Sequence, residues 1–329
     1  MKITRTGPRI LIQAPAKLNL FLEVLRKRSD GYHDVETVMQ TISLYDELRL
    51  EAAESEIRLV TDAPDVPAGG ENLVVKAAEL LREHTGRALG ATIHLQKNIP
   101  VSAGLGGGSS DAAAALVGLN RLWALGLSHE ALHDLAARLG SDVPFFLYGG
   151  TAVCRGRGER VTPLADVPPM TYVVVCPALT VSTREVYENL APGDLTHSAA
   201  SKPLPPEREP RRRSGSTLSK KPRPLGRGVE GLTNDFRDIK LFLEQLIKEG
   251  KSGTPPRFFN RLAGVTLERH ESLKLLARRM TESGLAGVTM TGSGSAFFGI
   301  ATSRKEASDS AEKLTRMDVG RIFVAESTS

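Results

Sequence analysis

Between residues 9 and 25, RILIQAPAKLNLFLEVL, apolar residues fall mostly at alternating positions, interrupted by Ala-Pro-Ala. A period of two predicts one or two strands there. Shorter runs of the same kind predict strands at Glu47–Glu51, Ile57–Val60 and Thr92–Gln96. Between them the period lengthens: Leu73, Ala77, Leu80 and Leu81 share one face of a predicted helix over Asn72–Thr85. Ser110–Leu125 is Ala-rich and helical, and His129–Leu139 reads as a further helix closed by Gly140. Short strands follow at Thr151–Arg155 and Thr171–Pro177. Beyond residue 231 come helices at Phe236–Lys248 and Glu271–Ser283, then strands at Gly287–Met290 and Ala296–Ala301 around a Gly-Ser turn. A helix, Arg304–Met317, and a strand, Arg321–Ala325, end the pattern. Strands with interspersed helices and no regular βαβ repeat predict an α+β fold of two sandwich-like domains. The Pro-rich TPLADVPPM places their boundary near residues 163–170.

Composition narrows this picture only in places. With 329 residues the chain has room for two cores, and with 5% aromatics those cores must rest on Leu, Val, Ile and Ala. The net charge of +5 suggests polyanion binding until it is located. Nine basic and three acidic residues lie between Thr196 and Gly231, so the rest of the chain carries about −1. That segment is rich in Pro, Ser, Arg and Lys and poor in large apolar residues, and reads as a disordered insertion. No nucleic acid is expected as a partner. The first twenty residues lack the apolar core of a signal peptide, and no run approaches the length that spans a bilayer, so a cytoplasmic protein without membrane contact is expected. Cys154 and Cys176 each sit in an apolar strand-like run, which predicts buried, reduced thiols.

The chemistry concentrates in one stretch. Pro100, Val101, Ser102 and Ala103 lead into Gly104, Leu105, Gly106, Gly107 and Gly108, and Ser109 and Ser110 open an Ala-rich helix. Glycines let a backbone reach φ > 0 and approach a ligand closely. Successive N–H groups ahead of a helix N-terminus make a cradle for anions. No Lys-Ser or Lys-Thr follows the last glycine, so this is not the commonest nucleotide phosphate loop, and the acidic ribose partner of dinucleotide folds is also missing.

The run from Pro100 to Ser110 resembles the phosphate-binding motif of the GHMP kinases. Two further motifs of that family stand in the same order along the chain, Ala14-Pro15-Ala16-Lys17-Leu18-Asn19-Leu20 and Met290-Thr291-Gly292-Ser293-Gly294-Ser295-Ala296. The resemblance implies an ATP- and Mg²⁺-dependent kinase of a small-molecule alcohol. It implies an N-terminal α/β domain (1–166) and a C-terminal α+β domain (167–329), with the cleft for ATP and substrate between them. Asp142, in Leu139-Gly140-Ser141-Asp142-Val143-Pro144, is implied as catalytic base and Lys17 as its charge partner. Besides the glycine loop, Asn72 and Lys97 are candidates on the ATP side, and Ser110 is the candidate metal contact.

Asp30-Gly31-Tyr32-His33 and the Asp142 segment resemble those of one branch of the family, which implies a substrate carrying a cytidine diphosphate group. A pyrimidine needs a flat face and a directional hydrogen-bond partner, which an aromatic beside an imidazole supplies. The resemblance implies Tyr32 and His33 for this role, with Tyr187 on the other face where the family more often has Phe. Asn19, Thr183, Thr291, Gly292 and Ser293 are expected to border the substrate. FFNRLAG, at 258–264, departs from the family's Asn-Asp-Leu-Glu pattern, with Arg261 in place of the acid, and no role is carried onto it. The rival readings are another GHMP kinase, of mevalonate or homoserine type, and a non-catalytic nucleotide-binding regulator. The assembly expected is a monomer or homodimer.

Overall fold

The alternating run near the N-terminus forms one strand rather than two. In the computed structural model, which describes residues 1–190, 237–252 and 256–329, β2 runs without a break over Arg9–Lys27. Pro15 is accommodated at a register shift between Pro15 and Ala16, where a missing N–H costs no regular ladder bond. β2 pairs antiparallel with β1 (Lys2–Thr6) and with β3 (His33–Ala53). The insertion expected at 196–231 lies outside the described residues, as does Phe236.

β2 and β3 are long because each serves two neighbourhoods. The far half of β3 pairs with β5 (Gly90–Gln96), which pairs in turn with β4 (Ile57–Thr61). Its near half pairs with β6 (Thr151–Gly156), and β6 with β7 (Arg160–Leu164). β9 (Phe259–Asn260) joins β2 in parallel, so a segment from late in the chain completes the first sheet. The second sheet is antiparallel, in the order β10 (Ala286–Met290), β11 (Phe297–Ala301), β8 (Thr171–Cys176) and β12 (Arg321–Glu326).

Helices α1 (Leu73–Thr85), α2 (Gly107–Leu122), α3 (His129–Leu139) and α4 (Val143–Tyr148) build the first core with the sheet. The buried alanines Ala112–Ala115 let α2 lie close to β2 and β3. At Gly118 the approach is so tight that any Cβ would collide with Leu50 and Ile12. After β8 the chain forms α5 (Thr183–Glu188), α6 (Arg237–Ser252), α7 (Arg261–Arg269), α8 (Glu271–Glu282) and α9 (Arg304–Thr315). α7 to α9 cover the second sheet around Leu262, Leu276, Met280 and Leu314. The two sheets meet over Leu18, Val38, Tyr172 and Phe298, where the Tyr172 hydroxyl donates to the Gln40 side chain. Both cysteines are buried and unpaired, and burial pushes their thiols up in pKa. Among the described residues no helix is long and apolar enough to cross a membrane.

Candidate active site

Three segments far apart in sequence meet at the glycine loop. The Lys17 N–H donates to Leu105 O at 2.9 Å, and the Ala296 N–H donates to Ala103 O at 3.1 Å. The loop is thereby pinned between β2 and the glycine turn that follows β10. Gly104 has φ +80°, and a Cβ on it would collide with the Thr291 carbonyl oxygen. Gly104→Ala therefore combines left-handed strain with a backbone clash. It is expected to lower stability by about 2 kcal/mol or more, read as the shift in the urea midpoint. An unshifted midpoint would mean that loop and turn do not need this contact. Gly106, at φ +72°, is the second such position: its Cβ would stand 2.9 Å from Phe146 and 3.0 Å from Lys17 Cγ.

α2 begins at Gly107, three residues before the expected Ser110. Gly107 and Gly108 are both helical: a Cβ on Gly107 would press on Ile99 and the Lys97 ammonium at 3.1 Å, whereas the space beside Gly108 is open. Ser109 and Ser110 diverge. Ser109 lines the cavities on both sides of the loop, whereas the Ser110 hydroxyl is buried, without a hydrogen-bond partner, and lines neither.

Those two cavities define the site. One, of about 360 Å³, is bounded by Asn72, Leu73, Pro67 and Lys97 on one side and by Pro100 to Ser109 on the other. The second, of about 980 Å³, holds Lys17, Asn19, Tyr32, His33, Asp142 and Tyr187, together with Thr183, Gly292 and Ser293. Gly104, Gly106 and Ser109 line both, so the glycine loop is the partition between them.

Asp142 stands immediately ahead of α4, yet its side chain makes no capping bond. The carboxylate instead faces the Lys17 ammonium, 3.7 Å away, and remains about one-third exposed to the cavity. Lys17 is 3% exposed, and burial lowers its pKa from the ordinary 10.5 while Asp142 opposes that shift. Its Nζ also donates to Asn19 Oδ1 at 2.5 Å. Asn19 in turn donates through Nδ2 to the Thr37 hydroxyl (2.9 Å) and through its N–H to the Thr291 hydroxyl (3.1 Å). Thr291 thus holds β2 to the glycine turn from a buried position behind the cavity wall. Thr183, at the start of α5, shares a 2.7 Å hydroxyl–hydroxyl bond with Ser293.

At the far end, the His33 and Tyr187 rings contact each other, with centroids 5.1 Å apart. Burial lowers the His33 pKa and raises that of Tyr187. Tyr32 is 53% exposed and carries the Arg157 guanidinium 5.1 Å from its ring centre. All three candidate residues line one cavity, but His33 and Tyr187 are packed together, leaving Tyr32 as the open face.

Two candidates on the ATP side are engaged elsewhere. Lys97 bonds Asp46 and Asp111, the latter at 2.8 Å, in a buried cluster beneath the loop. Asp46 also accepts from the Asn98 and Ile99 N–H groups (2.7 and 2.9 Å). Lys97 therefore anchors the start of the loop while lining the cavity. Asn72 caps α1 by accepting from the Val74 N–H at 2.9 Å. Residues without a sequence assignment also line the larger cavity, among them Lys27, Asp30, Arg157 and Arg184. Of these, Asp30 stands in the Asp30-Gly31-Tyr32-His33 motif, and Arg157 carried a readable signal as a basic residue between two glycines in the β6–β7 turn. A Cβ on Gly158 would stand 3.5 Å from the Asp142 carboxylate.

Residues 72–150 match the GHMP kinases N terminal domain, which places the glycine loop and Asp142 in a family of small-molecule kinases. The chain is 41% identical over 306 residues to the 4-diphosphocytidyl-2-C-methyl-D-erythritol kinase of Pelotomaculum thermopropionicum, covering 93% of each chain. A crystal structure of 4-(cytidine 5'-diphospho)-2C-methyl-D-erythritol kinase superposes with a TM-score of 0.74 at 36% identity, covering 97% of this chain and 99% of that one. The homoserine kinase of Cytophaga hutchinsonii shares the fold, with a TM-score of 0.65, at 17% identity over 100% of this chain and 97% of that one. The chain belongs to the 4-diphosphocytidyl-2-C-methyl-D-erythritol kinase family of the GHMP kinases. It is a phosphate-transferring kinase with an α+β fold.

Proposed function

We propose that this chain transfers the γ-phosphoryl group of ATP to the 2-hydroxyl of 4-diphosphocytidyl-2-C-methyl-D-erythritol. The observation that carries the reading is the pair of cavities meeting at Gly104, Gly106 and Ser109, with Asp142 and Lys17 on the acceptor side of that junction. ATP lies in the smaller cavity with its phosphates along the loop N–H groups and the N-terminus of α2. The alcohol lies in the larger one, its cytosine against Tyr32 and the His33 imidazole.

Phosphoryl transfer depends mostly on position and charge. The Asp142 carboxylate takes the proton of the acceptor hydroxyl as its oxygen bonds to the γ-phosphorus, and ADP leaves with the electrons of the broken P–O bond. The Lys17 ammonium, fixed by Asn19, faces both the carboxylate and the charge on the transferred group. Among the described residues no cluster of His, Cys, Asp or Glu is of a size to hold a metal, which suits Mg²⁺ carried on phosphate oxygens and water. The Ser110 hydroxyl, shut off from both cavities, does not fit that ion; the Ser109 hydroxyl does. Mg²⁺ bound there would offset phosphate charge. The reaction is placed in the cytoplasm.

A coupled ADP-release assay tests the reading, with mevalonate and homoserine in parallel. Turnover is expected with the cytidine substrate alone, and cytidine diphosphate should inhibit it competitively. Turnover with either other alcohol, or indifference to cytidine diphosphate, would remove the cytidine pocket.

A further inference from the structure

Gly292 and Ser293 form one wall of the acceptor cavity, and something must hold that turn in place. Asn260 does so directly, donating through Nδ2 to Met290 O (2.7 Å) and Gly292 O (2.8 Å). Its Oδ1 accepts from the Leu262 N–H at 2.9 Å, so the same side chain caps α7. The position of the turn therefore follows the position of the start of α7.

The next residue fixes that start. Arg261 donates from Nε and Nη2 to the two oxygens of Glu23, both at 2.7 Å, and its guanidinium lies 5.0 Å from the Phe259 ring centre. Glu23 is 3% exposed on β2, the strand that bears Lys17 and Asn19. Directly opposite it on β3 stands Glu36, 2% exposed, bonded by Arg155 of β6 at 2.6 Å. Four charges thus cross β6, β3, β2 and α7 in the order Arg155, Glu36, Glu23, Arg261. Like charges opposite one another on a sheet repel, and buried carboxylates require partners, so the outer arginines are needed for the inner pair to exist. Burial lifts Glu36 to about 7 despite Arg155, with the Glu23 charge adding to the rise.

We propose that Arg261 is a positioning residue for the acceptor: its two-pronged hold on Glu23 sets α7, and through Asn260 the Gly292–Ser293 wall, relative to Lys17. The kinetic part rests on the proposed reaction, while the structural part does not. A lysine supplies charge but no two-pronged geometry, so Arg261→Lys separates the two contributions.

In Arg261→Lys, KM for the alcohol should rise about tenfold, with KM for ATP within about twofold, as a misplaced wall disturbs one substrate. Hydrogen exchange over residues 288–293 should also quicken in the free protein, whatever the substrate is. Arg261→Ala should show both effects more strongly; if it fails to fold, the lysine variant decides. Unchanged exchange at 288–293, or equal changes in both KM values, would overturn the assignment and leave a pair that only stabilises the fold. A wild-type enzyme silent toward the cytidine substrate would instead overturn the proposed reaction, with the exchange result still reading the role of Arg261.

Discussion

Asp142→Asn is expected to lower kcat by about 100-fold or more, the lower range of what a general base contributes, while ATP still binds. Asparagine keeps the shape of aspartate but has no basic oxygen for the acceptor proton. The fold gives little reason for a structural loss. The Asp142 side chain makes no capping bond at α4, and the carboxylate is partly open to the cavity. Its ion pair with Lys17, at 3.7 Å, is long for a strong interaction. Steady-state kinetics with ATP titrated calorimetrically would check this. Near-normal kcat would falsify the base assignment, and lost ATP binding would point to a collapsed loop.

Much of this site was legible in the sequence because its parts are local. The run from Pro100 to Ser110 is contiguous, and its glycines announce a backbone that approaches something closely. Gly104 and Gly106 bear this out with positive φ and with neighbours where a Cβ would stand. Gly107 and Gly108 look identical in sequence but are ordinary helix, so a glycine run does not say which member does what. Helices with a clear stripe and a side-chain cap were readable nearly to the residue, as with α3, bounded by Ser128 and Gly140.

What escaped was set by tertiary contacts. β3 was expected only over Glu47–Glu51, yet it extends over His33–Ala53. Its near half carries Glu36, Thr37, Gln40 and Thr41, which a pattern argument assigns to solvent, and all four are buried. Each finds a partner from elsewhere in the chain, such as Arg155 for Glu36 and Thr151 for Gln40. No periodicity reveals a strand whose polar residues face inward. α4, α5 and β9 escaped for a different reason: six, six and two residues are too few to show a period. The engagement of Lys97 with Asp46 and Asp111 was equally hidden, because the three come from separate elements.

Lys17→Met should lower kcat by about 100- to 1,000-fold, the range seen when one preorganised charge donor is lost. It should also leave the protein at least as stable at neutral pH. Methionine fills much of the same volume, and Lys17 is an ammonium buried to 3% whose partner Asp142 only partly offsets its desolvation. The sign of the pH dependence follows from the lowered pKa. Between that lowered value and 10.5 the unfolded chain binds more protons than the folded one, so wild-type stability rises with pH across this window. The stability gained by Lys17→Met should therefore be largest below the folded pKa and shrink as pH approaches 10.5. For the same reason the alkaline limb of wild-type kcat/KM, which reports the free enzyme, should fall below the ordinary lysine range. Thermal unfolding from pH 7 to 10 beside the kinetics would test both. Activity and stability falling together in Lys17→Met would mean that Lys17 holds the fold, whereas lost activity with retained stability would mark a charge kept for catalysis against the interest of the core.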